Sequence, residues 1–221
     1  MGHTFAKVLP LALGAAISPV ILLLQVATLA SPRYPVRRAL IVLSSTALVV
    51  AGVMVLIATT DHQAATPPKS DAAVGGWIKV VLAILLLAVA IRTALAPAPD
   101  EPPAAAEESQ ASVHALRYFL LGVGAMVTNL TTIVLLIPAT HDAATADLPA
   151  DDRLLVMVVI ALITLFPAYG PLLVLAALGR RGPVALAAFG AWLRVHRRTV
   201  TVVVSLGFAA YLGISGYVAL T

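Results

Sequence analysis

Cysteine is absent from all 221 residues. That excludes a disulfide, a thiolate metal site, a lipoprotein anchor and the thiol relay of small six-helix membrane electron carriers. Charge is also scarce, at 11% of residues. No carboxylate or histidine lies in the middle of any long apolar run, so the sequence shows no buried Asp/Glu/His proton relay of the usual transporter type. Nor can a nucleophile and base, or a pair of carboxylates, be placed at depth. The expectation is a protein that is not an enzyme, with no catalytic residues, no metal and no cofactor. The net charge of +4 and the pI near 9.8 raise nucleic acid as a partner. However, the basic residues flank apolar runs and form no stripe interleaved with aromatics, so they read as membrane topology and no nucleic acid is expected.

Apolar residues make up 61% of the chain and the mean hydropathy is +1.01, which excludes a water-soluble globule. Six runs approach the roughly 20 residues needed to cross a bilayer core. They extend from about Val8 to Ala30, Ala39 to Thr60, Gly75 to Leu95, Tyr118 to Thr140, Leu154 to Leu178 and Thr199 to Leu220. The fold class expected is all-α, a polytopic membrane protein of six transmembrane helices. The third run carries Lys79 and Arg92, which must snorkel or pair; Trp77 nearby marks the headgroup level and favours snorkelling for Lys79. A signal peptide is the rival reading of the first run. That run is too long for a signal h-region and no cleavage site precedes a soluble domain, so it is kept as a span.

The lysines and arginines orient these spans. Arg33, Arg37, Arg38, Arg92, Arg117, Arg180, Arg181, Arg194, Arg197 and Arg198 fall on one side; Lys7, Lys69, Lys79 and Arg153 fall on the other, ten and four making up the 14 in the chain. The positive-inside rule makes the ten-residue side cytoplasmic and puts both termini outside. Between Pro97 and Ser112 the chain reads PAPDEPPAAAEESQAS, a solvated cytoplasmic linker without apolar periodicity. This divides the protein into a three-helix unit over 1–96, a flexible linker over 97–116 and a second three-helix unit over 117–221. Three is odd, so the second unit enters the membrane from the opposite side, as an inverted-topology repeat requires.

Each unit opens with a helix that carries a polar break near mid-span: Ser18-Pro19 in the first and Thr128-Asn129 in the fourth. Proline removes a backbone donor, and paired interruptions at corresponding points of two halves are a sequence pointer to a transporter's binding region. Asn129 stands out because its amide has four hydrogen-bonding sites that its own helix cannot satisfy. Gln25 reads either as a packing hydrogen bond or as a polar wall of a path. For lone hydroxyls such as Thr132 the plainer reading is a bond to the preceding turn or to a neighbouring helix. Pro167 and Pro171, in the run Phe166-Pro167-Ala168-Tyr169-Gly170-Pro171, are either packing kinks or part of the same cavity. The candidate substrate path is thus Ser18, Pro19, Gln25, Thr128, Asn129, Thr132, Pro167 and Pro171. After span five, Val184, Leu186, Phe189, Trp192, Leu193 and His196 recur at helical spacing among Arg180, Arg181, Arg194, Arg197 and Arg198. This describes a short amphipathic interfacial helix, whose arginines either anchor topology on anionic lipid or bind a phosphate or sulfate headgroup.

The stretches LPLALGAAISPVILLLQVATLASPR, LGVGAMVTNLTTIVLL and FGAWLRVHRRTVTVVVSLGFAAYLGISGY resemble the glycopeptidolipid- and sulfolipid-addressing proteins of mycobacteria and relatives, within the lysine-exporter superfamily. Ser18-Pro19 matches that family's small-residue-then-proline motif. The span-four motif is usually asparagine, proline, lysine; here Leu130 and Thr131 follow Asn129, so the motif's lysine has no counterpart. The resemblance implies an inner-membrane protein that moves a lipid or glycolipid toward the cell envelope, and dimers are common in the superfamily. The expected partners are the lipid itself, a second copy as a homodimer, and lipid-synthesis or export machinery. Two rival expectations stand beside this one. The first is a small-solute exporter, for an amino acid or metal ion, of the same superfamily. The second is a non-transporting scaffold of a lipid-export complex.

Overall fold

Pro19 has no amide hydrogen, so a helix entering from the N-terminus cannot run through it without leaving the Ala15 carbonyl one turn back without its donor. In the computed structural model, which describes residues 2–31, 34–63, 71–95 and 115–220, the chain breaks at this point. Helix α1 (Gly2–Ala16) ends before Ile17-Ser18 and α2 (Pro19–Leu29) leaves at 50° to it. Thr128-Asn129 makes the second break, between α5 (Ala115–Val127) and α6 (Leu130–Ala144), with a bend of 69°. The third lies at Leu165, between α7 (Ala150–Thr164) and α8 (Phe166–Leu178), bent by 68°. Pro167 sits in the first turn of α8, where a missing amide costs no intrahelical bond.

Three helices run unbroken: α3 (Pro35–Gln63), α4 (Asp71–Leu95) and α9 (Gly182–Leu220). The described residues contain no strand. Two of their helices, over Pro35–Thr59 and Gly182–Val218, are long and apolar enough to cross a membrane unaided, and up to five spans result if each bent pair counts as one. Residues 96–114 lie outside the described set, and with them most of the expected linker over 97–116; α5 begins at Ala115.

Helix α9 differs from expectation. The sequence suggests a separate interfacial helix near 184–196 followed by a span from Thr199. The chain instead forms one helix of 39 residues, about 58 Å long against a hydrocarbon core of about 30 Å. The reason is local. Pro183 occupies the first turn, and no proline follows it in the helix. Alanine, leucine and arginine, all strong helix formers, dominate the stretch up to Arg198, so nothing ends the helix where its polarity changes.

The buried apolar side chains form two cores, and α2 and α8 contribute to both. Val8 and Leu11 of α1, Leu135 and Leu136 of α6, Val156 and Ile160 of α7, Leu86 of α4 and Leu212 of α9 form the larger one. The smaller joins Val26 and Leu29 of α2, Ala39 of α3 and Leu186 of α9, with Leu172 and Leu175 of α8 against it. Helix α4 lies antiparallel along α9, Gly76 beside Gly216 at one end and the Ala94 carbonyl accepting from the Arg198 guanidinium at the other. Helices α3 and α5 also meet at a glycine, since a β-carbon on Gly122 would stand 3.1 Å from the Val42 carbonyl oxygen. Small residues at such crossings let membrane helices approach closely where no hydrophobic effect drives them together.

Candidate functional site

Breaking a helix creates a new N-terminus with unpaired amides, and each of the first two breaks supplies its own cap. Ser18 Oγ accepts from the Ile21 amide at 3.3 Å and so caps α2. Asn129 Oδ1 accepts from the Thr132 amide at 3.5 Å and caps α6. The two caps, 111 residues apart in sequence, touch: Asn129 Nδ2 donates to Ser18 Oγ. Beside them Thr132 Oγ1 donates to the Ala15 carbonyl at 2.9 Å, the very carbonyl that Pro19 leaves without a donor. One half of the chain thus completes the backbone bonding of the other. Ser18 and Thr132 are buried and Asn129 is half-buried.

This arrangement has an electrostatic consequence. The N-termini of α2 and α6 meet at one point inside the bundle, and each carries the partial positive charge of its helix dipole. Paired half-helix N-termini of this kind suit an anionic group.

The remaining expected path residues separate. Gln25, fully buried on α2, donates from Nε2 to the Ala39 carbonyl at 3.0 Å and so ties α2 to α3. Its Oε1 is enclosed without a hydrogen-bond donor among the described residues. Thr128 faces outward, and its hydroxyl donates to the Gly124 and Ala125 carbonyls of its own helix, at 2.7 and 3.3 Å. It therefore does not join Ser18 and Asn129. Thr128→Val is expected to change stability by less than about 0.5 kcal/mol, measured as the thermal unfolding midpoint in detergent. Pro167 and Pro171 are buried at the third break, apart from the capping contact. The Thr164 hydroxyl beside that break is also buried without a partner among the described residues.

Arg181 lies in the 3-10 turn Gly179–Arg181, whereas Arg194, Arg197 and Arg198 lie more than three turns into α9. Gly182 and Arg194 are roughly 18 Å apart along the helix axis, because the expected loop is a rigid rod. Phe189, Trp192 and His196 stack along this part of α9, with the last two ring centroids 4.7 Å apart.

Two charged side chains, Arg38 and Lys79, tie neighbouring helices together. Arg38, only 7% exposed, reaches Ser31 Oγ with one guanidinium nitrogen and lies over the Tyr118 ring at 5.0 Å from its centroid. It thereby fastens the end of α2 and the start of α5 to α3. Lys79 does not snorkel freely: its Nζ pairs with Asp142 Oδ2 at 3.2 Å. The sequence reading ends span four at Thr140, but α6 continues to Ala144 and brings Asp142 into the bundle. For Arg38 the sequence offered only a charge at the start of an apolar run, which topology explains; for Lys79 pairing stood beside snorkelling, and the structure supplies the partner, Asp142.

No curated protein and no solved structure matches this chain. The sequence profile of the family described as Sap, sulfolipid-1-addressing protein, matches residues 8–217. The match takes in all three breaks, both caps and nearly all of α9, and the chain is therefore a member of the Sap, sulfolipid-1-addressing protein family.

Proposed function

We propose that this protein carries an anionic lipid or glycolipid across the cytoplasmic membrane for envelope assembly, and that the headgroup passes the point where α2 and α6 begin. The observation that carries this reading is the hydrogen bond between Ser18 and Asn129, which joins two capped helix breaks inside an apolar bundle. Membership of a sulfolipid-addressing family supports a lipid cargo. The headgroup meets two helix N-termini and neutral polar side chains while the acyl chains stay in the bilayer, which suits a lipid better than a bare inorganic ion. The mechanism assigns no bond-making step to the protein, and it needs no cofactor or metal.

Six spans follow when α4 is added to the two long helices and the three bent pairs. The inverted repeat over 1–96 and 117–221 then sets α1–α2 against α5–α6, α3 against α7–α8 and α4 against α9. Three packing relations support it. Helices α4 and α9 lie antiparallel, α1 packs on α7 as α5 packs on α3, and the two caps meet between the units. The unequal member is the bend at Leu165, for which α3 has no counterpart. With the arginine-rich ends cytoplasmic, both termini lie outside, and the arginines of α9 face anionic lipid at the entry side. A homodimer and contacts with lipid-synthesis machinery belong to the same reading.

The test is flipping of a fluorescent anionic lipid in vesicles reconstituted with purified protein. Ser18→Ala and Asn129→Leu each remove a cap and the contact between the breaks, worth about 1 to 2 kcal/mol. Flipping is expected to fall about 5- to 30-fold in each, with the elution profile of folded protein preserved. Wild-type rates in both variants would rule out this path, and absence of flipping by the wild-type protein would favour a scaffold.

A further inference from the structure

At the end of the bundle opposite Arg194, Arg197 and Arg198, α1, α4, α6 and α9 line a cavity of about 240 Å³. Lys7, Lys79, Asp142, Tyr211 and Ser215 supply its polar lining, and Leu11, Leu212 and Val218 its apolar lining. The charges do not cancel. Asp142 is taken by Lys79 at 3.2 Å, each side chain 17% exposed, whereas Lys7 has no carboxylate partner among the described residues. Two ammonium groups against one carboxylate leave one positive charge. The position of Asp142 fits this arrangement: it lies in the last turn of α6, where the helix dipole disfavours a carboxylate, and Lys79 offsets that cost. The donors available to a ligand are the Lys7 ammonium and the Tyr211 and Ser215 hydroxyls, which line the same cavity.

We propose that this cavity is a second binding site, for a singly charged oxyanion ester, the chemistry shared by sulfate monoesters and phosphodiesters. Its single excess positive charge matches a single negative one, and its three donor groups match an anion with several acceptor oxygens. The site stands on its own geometry. Only the further assignment of the anion to a lipid headgroup, received on the far side after crossing, rests on the transport reading above. The Lys79–Asp142 pair positions the cavity wall, and Lys7 is the residue that meets the anion.

The experiment uses the full chain in detergent, titrated with methyl sulfate by calorimetry, and the same chain in phosphatidylcholine nanodiscs with or without sulfatide. Lys7→Gln, on an exposed side chain, is expected to fold normally and to weaken methyl sulfate binding at least about tenfold, the loss of one ion contact. Asp142→Asn removes the competing carboxylate and is expected to tighten binding. A merely structural pair predicts the opposite, because removing one partner loosens the wall. Unchanged binding in Lys7→Gln, or weaker binding in a folded Asp142→Asn protein, overturns the site. Stabilisation by sulfatide nanodiscs that Lys7→Gln abolishes supports the headgroup assignment; binding of methyl sulfate without that effect overturns the assignment. The Ser18→Ala, Asn129→Leu protein should lose flipping and keep methyl sulfate binding, so failure of one reading is distinguishable from failure of the other.

Discussion

Gly216→Leu is expected to separate α9 from α4 and to lower the thermal midpoint more than any substitution at the lipid-facing surface. A β-carbon at 216 would lie 2.9 Å from the Gly76 carbonyl oxygen and 3.1 Å from the Val80 amide nitrogen. Both obstacles are backbone, so no rotamer change relieves them, and one helix must move away along the seam that α4 and α9 share over their length. Overpacking of this kind costs about 1 to 3 kcal/mol, and more where neighbours cannot shift. The natural control is Gly207, also on α9, where an added β-carbon meets nothing within 4 Å. Gly207→Ala should be neutral or stabilising by up to about 1 kcal/mol, since alanine is the better helix former. Circular dichroism melts in detergent read both. Equal midpoints for Gly216→Leu and wild type would mean that the two backbones are not in contact.

The second large effect concerns Thr132. Its hydroxyl is the donor that reaches the Ala15 carbonyl, and Pro19 cannot supply one. Thr132→Val keeps the shape, removes that donor and leaves a carbonyl unpaired in a site where no water competes. The expected cost is about 1 to 3 kcal/mol. A double-mutant cycle separates this cause from packing. In a Pro19→Ala background residue 19 has its own amide, α1 can continue toward α2, and Ala15 no longer depends on the other half of the chain. Thr132→Val should then cost clearly less. The same cost in both backgrounds would show that Thr132 acts through packing and not through the orphan carbonyl.

The two predictions draw on different kinds of information. The breaks were legible because their cause is local. A proline lacks an amide wherever it sits, and Asn129 cannot satisfy its amide within one helix, so Ser18-Pro19 and Thr128-Asn129 announced interruptions before any packing was known. The prolines of Phe166 to Pro171 read either as packing kinks or as part of a cavity, and the third bend falls just ahead of them, at Leu165. The apolar runs were equally legible, since span length follows from bilayer thickness. Charge at the end of a run was less informative. The same arginine or lysine serves topology, a buried anchor such as Arg38 or an ion pair such as Lys79 with Asp142, and only the neighbouring helices distinguish these uses. The length of α9 was misjudged because a change of polarity resembles a boundary, whereas a helix ends only where backbone bonding fails.

Composition and local chemistry alone therefore determined that this is a helical membrane protein and that Ser18-Pro19 and Thr128-Asn129 interrupt its helices; that Ser18 and Asn129 cap the new helix starts is a finding of the structure. The tertiary structure decided which breaks meet. It set Asn129 against Ser18, left Thr128 facing outward and gave Thr132 a carbonyl from the opposite half. It also turned three separate charges, Lys7, Lys79 and Asp142, into the wall of one cavity. These outcomes depend on contacts between residues more than 60 positions apart, which arise from how whole helices pack, and no local preference of the chain encodes them.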